Sequence, residues 1–392
     1  MPGLDGRRIW FVGIGGAGLS GYALLARAWG ATVGGWDRAE TPYLRRLENV
    51  VVEIAEEPVV PGGWDEVVVS TAYRDRVAGT SRAEFLAELV AAQRSIVVAG
   101  AHGKTTTTAM IAFCLDRLGD DPAFLIGGEV PQLGGNARAG SGWLVVEGDE
   151  SDRTIAALRP EIAVLTNVDL DHHSEFASRA EVEELFEQWL ASAQTAIRGD
   201  DLDPVPFELA VAGEHNRRNA AAALAAVEAA GYERDAAARA LAEFTGAGRR
   251  LERKGEAGGV EVIDSYAHHP AELAADIAAA ANGARVLVLF QPHLYSRTRH
   301  LAHDFGAALA AADVVAVTDV YRAREEPVPG VTGKLVVDAV ADARPGIEVA
   351  WTPSAADGAR FLARRARSGD RVLTLGAGDV DAAVPLILEA LA

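Results

Sequence analysis

The chain has 392 residues, 49% of them hydrophobic, which predicts two or three domains with substantial cores. Its formal net charge is -19 and it contains no basic tract, which argues against nucleic-acid binding. No apolar run approaches the length of a membrane-spanning helix and no signal peptide is evident, so we expect no membrane insertion and a cytoplasmic location. The single cysteine, Cys114, suits a reducing compartment and is interpreted as a buried thiol.

The N-terminal region has the pattern of a strand, a helix and a second strand. Residues 7–16 run from an apolar strand into glycines, and a helical segment and another strand follow. Gly13, Gly15 and Gly18 fit the G-x-G-x-x-G fingerprint, and Asp37 follows Gly18 by 19 residues. Three interpretations stay open on this pattern alone: a site for NAD(P) or FAD, a site for another nucleotide diphosphate, or a tight structural turn.

The stretch "VVAGAHGKTTTTAMI", residues 97–111, ends a β-branched run in a glycine and places Lys104 before four threonines. The usual phosphate loop, G-x-x-x-x-G-K-[ST], requires a glycine where this chain has Val98, so we interpret the stretch as a shorter loop beginning at Gly100. Such a loop directs backbone N–H groups, an ammonium and the Thr105 hydroxyl at one point. The pattern predicts a site for a nucleoside triphosphate with Mg²⁺, with simple helix capping as the alternative.

Two acidic clusters follow at predicted strand ends, the edge where ligands bind in open α/β sheets. Each cluster alone is typical of a solvated loop, but after a phosphate loop both become candidate ligands for Mg²⁺, which prefers oxygen donors. Zinc is less favoured because no cysteine and no regular histidine spacing supports it. The clusters contain Glu147, Asp149, Glu150 and Asp152 in "VVEGDESD", and Asp169, Asp171, His172 and His173 in "TNVDLDHH".

The region after residue 215 contains two alanine-rich helices and then, from about residue 258, a renewed alternation of strands and helices. We place linkers near residues 92–95 and 245–257, the second on its glycines and charges. At the start of the first helix, the side chains of "GEHNRRNA" could contact a base or cap the helix. In the second linker, Arg249 and Arg250 provide either surface charge or a phosphate clamp.

Two strand ends of this second alternation are rich in chemically active side chains. Packing alone does not readily explain such a concentration of imidazole, phenol and guanidinium groups, so we interpret them as a binding site. The side chains are Asp264, Tyr266, His268, His269, His293, Tyr295, Arg297 and Arg299.

Seven of these motifs occur in the order found in the Mur ligases. They are "FVGIGGAGLSG", "AGAHGKTTTT", "VVEGDESD", "GEHNRRNA", "DSYAHHP", "FQPHLYSRT" and "LTLGAGDV". The chain resembles this family over nearly its whole length, and specifically the branch that adds L-alanine, the first amino acid, to UDP-N-acetylmuramate.

The resemblance implies an α/β fold of three domains, each built on a mainly parallel sheet flanked by helices. It implies a Rossmann-like N-terminal domain for the UDP-sugar at residues 1–93 and a shortened P-loop ATPase domain at residues 94–246. A Rossmann-like C-terminal domain at residues 247–392 would close with the amino acid and part of the ATP site. The boundaries that we place from the alternation of elements agree with this division.

The resemblance also implies the site residues. The diphosphate of a UDP-sugar would lie on the first glycine loop at Gly15, Gly16, Ala17 and Gly18, with Asp37 and Ser70 near the uridine. ATP would contact Gly100, Ala101, His102, Gly103, Lys104, Thr105, Thr106, His215, Asn216, Asn219, Arg250 and Asp264. The Mg²⁺ ligands would be Thr105, Glu147 and His172, and the amino acid would be surrounded by Tyr266, His268, His293 and Arg297. Catalytic roles would belong to Lys104, Glu147, His172, Arg250 and His268.

The implied activity is ligation through an acyl phosphate, with ATP and Mg²⁺ as cofactors and UDP-N-acetylmuramate and L-alanine as substrates. We expect a monomer or homodimer. The alternatives are another Mur-type amino-acid ligase, or a non-catalytic protein that binds a nucleotide. An oxidoreductase would explain the first glycine group but not the lysine and threonine loop.

The chain departs from the usual family pattern at three places. Ala101 stands where the family usually has threonine, which removes a hydroxyl but no backbone donor. Ser174 stands where an acidic residue is frequent, two positions after His172. The stretch between His172 and His215 is shorter than usual, so we expect the ATPase domain to lack peripheral strands.

Overall fold

The computed structural model describes residues 3–150, 153–169, 176, 178–323 and 325–392. The chain divides into two compact units. The first unit is Met1–Ala210 with Asn216–Thr245, and the second is Val211–His215 with Gly246–Ala392. Within these described residues, the first unit contains two sheets and the second contains one.

The first sheet of the first unit has five parallel strands in the order β3-β2-β1-β4-β5. Its second helix begins at a capping box, in which the Ser81 hydroxyl accepts from the Glu84 N–H and the Glu84 carboxylate accepts from the Ser81 N–H. The strands are β1 (Arg8–Val12), β2 (Thr32–Asp37), β3 (Val51–Ile54), β4 (Glu66–Val69) and β5 (Thr80–Ser81), and the helices are α1 (Ala17–Ala28) and α2 (Arg82–Ala92).

The second sheet has six strands in the order β11-β10-β6-β9-β7-β8, parallel except for the β7–β8 pair. Strand β6 lies between β10 and β9 with every residue buried, as its continuous apolar sequence predicts for a central parallel strand. The strands are β6 (Ser95–Ala99), β7 (Ala123–Val130), β8 (Gly135–Arg138), β9 (Leu144–Glu147), β10 (Ile162–Leu165) and β11 (Thr195–Arg198). The helices are α3 (Lys104–Arg117), α4 (Arg179–Leu190), α5 (Glu214–Ala229) and α6 (Arg234–Ala242).

The sheet of the second unit has the order β12-β13-β17-β14-β15-β16, with only β12 antiparallel to its neighbour. Each face of the sheet has its own apolar core. The strands are β12 (Glu252–Ala257), β13 (Val260–Ser265), β14 (Val286–Phe290), β15 (Val314–Val317), β16 (Glu348–Trp351) and β17 (Arg371–Leu375). The helices are α7 (Pro270–Ala281), α8 (Tyr295–Leu309), α9 (Lys334–Ala343), α10 (Ala355–Ala363) and α11 (Ala383–Leu391).

These three sheets confirm the predicted fold class, an α/β chain built on mainly parallel sheets flanked by helices. The predicted linker at 245–257 was wrong in its second half, because Glu252–Ala257 forms strand β12. An edge strand tolerates the charges and glycines that made this segment look like a linker, since its outer side faces water. Among the described helices, none combines the length and the apolar character needed to cross a bilayer.

Candidate active site

The first glycine loop joins β1 to α1 at the carboxyl edge of the first sheet. Gly16 is the N-cap of α1, and no described side chain caps the helix there. Residues 16–18 are exposed, so the first-turn N–H groups of α1 face outward where an anion can accept from them. The carboxylate of Asp37, at the end of β2, accepts from the Gly15 N–H at 2.8 Å and holds the loop in place.

Ser70 and Arg82 border the same loop. Ser70 follows β4, and its N–H donates to the Val12 carbonyl at 3.1 Å. A Cβ added to Gly18 would lie 3.6 Å from Arg82 Nε, so the guanidinium lies beside the first turn of α1. The Tyr22 hydroxyl accepts from Arg82 Nε at 3.2 Å. Arg82 could not be predicted as a site residue, because nothing in its local sequence connects it to a loop more than sixty residues earlier.

The second glycine loop, residues 100–103, joins β6 to α3. Gly100 and Gly103 have φ of +129° and +80°, in the region that disfavours other residues. There is also no room for a side chain, since an added Cβ would lie 2.2 Å from Thr166 Oγ1 at Gly100 and 2.4 Å from Asn219 Oδ1 at Gly103. Both glycines of the predicted short phosphate loop are therefore required by its shape.

Asn167, two residues after the end of β10, holds this loop in place. The Ala101 N–H donates to the Asn167 carbonyl at 3.2 Å, and the His102 N–H donates to Asn167 Oδ1 at 2.9 Å. Asn167 Nδ2 and Thr166 Oγ1 in turn donate to the His102 carbonyl at 2.9 and 2.6 Å. These two backbone donors are therefore engaged within the protein, whereas the first-turn N–H groups of α3 lack acceptors inside the helix and can meet a phosphate. Neither Asn167 nor Thr166 was predicted from the sequence to support this loop.

Lys104 begins α3 and has four oxygen atoms around its ammonium. Nζ lies 2.6 Å from the Gly100 carbonyl and 3.4 Å from the Ala101 carbonyl. It also lies 2.9 and 3.1 Å from the two carboxylate oxygens of Glu150. Burial alone would lower the pKa of Lys104, but the neighbouring carboxylates, Glu150 first, raise it. Lys104 is therefore a charged ammonium held at the loop.

Two of the three expected Mg²⁺ ligands lie together. Thr105 Oγ1 donates to Glu147 Oε2 at 3.1 Å, and Glu147 Oε1 accepts from the Gly127 N–H at 2.5 Å. A hydroxyl and a carboxylate are oxygen donors of the kind that Mg²⁺ prefers, so this pair fits the ion. The third expected ligand, His172, lies outside the described residues, as do Asp152, Asp171, His173 and Ser174.

Helix α5 places two amides near the phosphate loop. Asn216 and Asn219 are both buried, and Asn219 Nδ2 lies 3.4 Å from Asn216 Oδ1. The side chain of Asn219 lies against Gly103, since its Oδ1 would be 2.4 Å from a Cβ added to that glycine. His215, predicted with them, belongs to the second unit, and Thr106 is buried in the first turn of α3.

In the second unit, Asp264 is fully buried at the end of β13. Burial raises the pKa of its carboxyl, and bonds from Thr374 and Arg249 oppose the shift. Thr374 Oγ1 donates to Asp264 Oδ1 at 2.5 Å and Arg249 Nε donates to Oδ2 at 2.8 Å. The other nitrogens of Arg249 donate to the carbonyls of Gly376 and Gly378 at 2.8 and 2.9 Å. Arg249 thus connects the segment before β12 with the end of β13 and with the loop after β17.

Arg250 and His268 share one carboxylate. Arg250 Nη1 lies 3.8 Å from Glu272, and His268 Nδ1 lies 3.5 Å from the same side chain. His268 Nδ1 is also 3.0 Å from the Tyr266 carbonyl oxygen. The backbone N–H of His268 donates to the Glu272 carboxylate at 3.0 Å. The Arg250 guanidinium lies over the Tyr266 ring, 5.5 Å from its centroid. Glu272, which sequence analysis missed, therefore orients both predicted catalytic groups of this unit.

A row of four rings continues from Tyr266. The centroids of Tyr266 and His268 are 5.5 Å apart, and those of His268 and His293 are 5.9 Å apart. His293 stacks on Tyr321 at 5.7 Å. Arg297 lies on the first turn of α8, whose first residue is Tyr295. The structure brings together three of the residues predicted to surround an amino acid, and it adds Tyr321.

His215 lies beside a buried carboxyl of α7. Its Nε2 is 3.9 Å from Asp276 Oδ1, and the Ser265 hydroxyl donates to Asp276 Oδ2 at 2.5 Å. Burial raises the pKa of Asp276 to about 7. Burial and the charge of Arg250 lower the pKa of His215. This close approach of His215 to Asp276 connects segment Val211–His215 with α7.

Sequence models of the Mur ligases match three parts of the chain. The Mur ligase family catalytic domain matches residues 8–94, the Mur ligase middle domain matches residues 98–201, and the glutamate ligase domain matches residues 249–378. The three matches together cover most of the chain.

The chain is also similar to individual proteins of known name. A UDP-N-acetylmuramate--L-alanine ligase from Renibacterium salmoninarum is 40% identical over 98% of this chain and 96% of its own length. Its counterpart from Kineococcus radiotolerans is 41% identical over the same shares. The alignment with the first spans 452 positions against 392 residues here, so that relative has residues this chain lacks.

Among solved structures, UDP-N-acetylmuramate-alanine ligase MurC from Thermotoga maritima is similar with a TM-score of 0.77 and 26% identity, over 97% of this chain and 98% of that one. Since the family models cover most of the sequence and the relatives match it from end to end, this chain belongs to the Mur ligase family.

Proposed function

We propose that this ligase joins L-alanine to UDP-N-acetylmuramate with hydrolysis of ATP to ADP and phosphate. The observation that carries the proposal is the end-to-end similarity to ligases named for this reaction, at 40% identity. The geometry of the first unit supports it, because Lys104, Thr105 and Glu147 stand at one phosphate loop. Other Mur-type substrates are less favoured, since eight relatives that are 38–41% identical to this chain share this name.

The first half of the reaction makes the carboxylate reactive. A carboxylate is a poor electrophile, so the γ-phosphoryl group passes from ATP to the lactyl carboxylate of the sugar, giving an acyl phosphate and ADP. Lys104 offsets the charge of the transferring group. Arg250 stays a prediction as a second cation for this role. Thr105, Glu147 and His172 would hold Mg²⁺, which when bound neutralises charge on the phosphates.

The second half forms the amide. The alanine amine attacks the acyl carbon, the carbon–nitrogen bond forms, and phosphate leaves with the bonding electron pair. The alanine ammonium must first lose a proton. His268 suits this role, since a proton on Nδ1 donated to the Tyr266 carbonyl leaves Nε2 as the basic nitrogen. Arg297 is the matching cation for the alanine carboxylate.

Phosphate release by purified protein tests this function. With ATP, Mg²⁺ and UDP-N-acetylmuramate present, adding L-alanine should start release, and leaving out either substrate should stop it. ATP binding without alanine-dependent release would favour a non-catalytic nucleotide-binding protein instead. We keep the cytoplasmic location and the monomeric or homodimeric state as predictions, and light scattering on the purified chain would check the second.

A further inference from the structure

The ammonium of Lys104 already has a complete set of acceptors. It has three protons, and three of its neighbouring oxygens lie within about 3.1 Å: the Gly100 carbonyl and both oxygens of Glu150. The Gly100 carbonyl belongs to the same loop and moves with it. Glu150 comes from a different segment, after β9, and is the acceptor that can be exchanged.

This ion pair is removed from water. The Glu150 side chain is 3% exposed and the Lys104 side chain 20% exposed. Moving a cation away from a buried carboxylate costs free energy, and a second positive charge arriving at the same place offsets that cost. Glu147 and Asp149 lie near the same ammonium and add negative charge to its surroundings. A polyphosphate that arrives without a cation would therefore meet three carboxylates and one lysine that is already paired.

We propose that Glu150 is an internal substitute for phosphate, which holds Lys104 until a nucleotide arrives together with a divalent cation. This inference rests on the proposed function, because it assumes that Lys104 contacts the ATP phosphates. In the exchange, Lys104 passes from the carboxylate to a phosphate oxygen, and the incoming cation compensates the charge left on Glu150. The consequence is selectivity: the empty loop discriminates against uncomplexed ATP.

The test is nucleotide binding by calorimetry, with ATP in EDTA and with ATP in excess Mg²⁺, and needs no turnover. Glu150→Gln should bind metal-free ATP at least about ten times more tightly than the unchanged protein, while binding of MgATP changes by less than about threefold. The factor by which Mg²⁺ tightens ATP binding should therefore be smaller in this variant than in the unchanged protein. Glu150→Asp keeps the charge and should keep most of the metal dependence.

Glu161→Gln is the matched control, because Glu161 also accepts from a cation through both oxygens, Arg94 at 2.9 and 3.0 Å, in the same unit but away from the loop. It should leave both affinities unchanged. If Glu150→Gln weakens both forms of ATP alike, Glu150 only supports Lys104 and the proposal is overturned. An unchanged ratio between the two affinities overturns it as well. If the unchanged protein binds no MgATP, the proposed function fails together with the inference.

Discussion

Replacing Asp276 by asparagine should remove a pH dependence from the stability of helix α7. Asp276 is 8% exposed, accepts from Ser265, and has a pKa raised to about 7 by burial first and by Glu272 second. Ser265 and Arg250 oppose the shift, and His215 lies 3.9 Å away. The folded state keeps a proton that the unfolded chain, with a carboxyl pKa of about 3.9, gives up earlier.

The sign follows from proton linkage. Because the folded pKa is the higher one, stability is largest at acid pH, falls as pH rises from about 4 to about 7, and is level above that. Between pH 5 and pH 8 the loss is about 2.6 kcal/mol, obtained from the two pKa values at about 1.36 kcal/mol for each pH unit. This corresponds to about an 80-fold change in the equilibrium for opening the helix. Asparagine cannot ionise, so the variant should lack this loss.

Hydrogen exchange measured by mass spectrometry on peptides from 270–281 gives a local readout in the full chain. Comparing Asp276→Asn with the unchanged protein at each pH cancels the intrinsic pH dependence of exchange. The variant should be increasingly better protected as pH rises from 5 to 8. Asp338→Asn is the control, since Asp338 is a helical aspartate of the same unit that is 58% exposed. A ratio of exchange rates that stays constant with pH would refute the assignment of a raised pKa to Asp276.

Three further predictions concern the first unit. Lys104→Ala should abolish phosphate release while calorimetric binding of UDP-N-acetylmuramate is kept; loss of both would mean that the two sites do not act independently. Gly103→Ala should abolish ATP binding and lower the free energy of unfolding by at least about 1 kcal/mol. The reasons are that φ at this position is +80° and that the alanine Cβ would collide with Asn219. Normal ATP binding by this variant would contradict the loop geometry. Arg82→Ala should weaken UDP-N-acetylmuramate binding about tenfold and leave ATP binding unchanged, whereas Arg74→Ala, an exposed control in the same region, should change neither; equal effects of the two variants would rule out a contact with the diphosphate.

Site residues that belong to one local motif could be predicted from the sequence, because residues a few positions apart along the chain must also be close in space. Lys104 and Thr105 stand at a loop whose glycines identify it, and Glu147 ends a strand whose apolar run is plain. Asn167 and Arg82 could not be found in this way. Each reaches its loop through strand order, and the pairing of β10 with β6 cannot be read from the residues of either strand.

Strand β12 is a case in which the local sequence predicted the wrong structure. Its charges and glycines suggest a linker, and only pairing with β13 makes it a strand. Edge strands have one side in water, so they lack the apolar run by which the central strands were recognised.

The second unit is not a continuous piece of the polypeptide, since it includes Val211–His215 as well as Gly246–Ala392. A fragment expressed from residue 246 onward would lack the histidine that lies beside Asp276 and would leave that carboxyl nearer to water. Its stability and pH response would then differ from those of the same residues in the intact chain. A fragment that begins at residue 246 therefore does not represent the second unit. Measuring the stability of that unit requires a fragment that also carries Val211–His215.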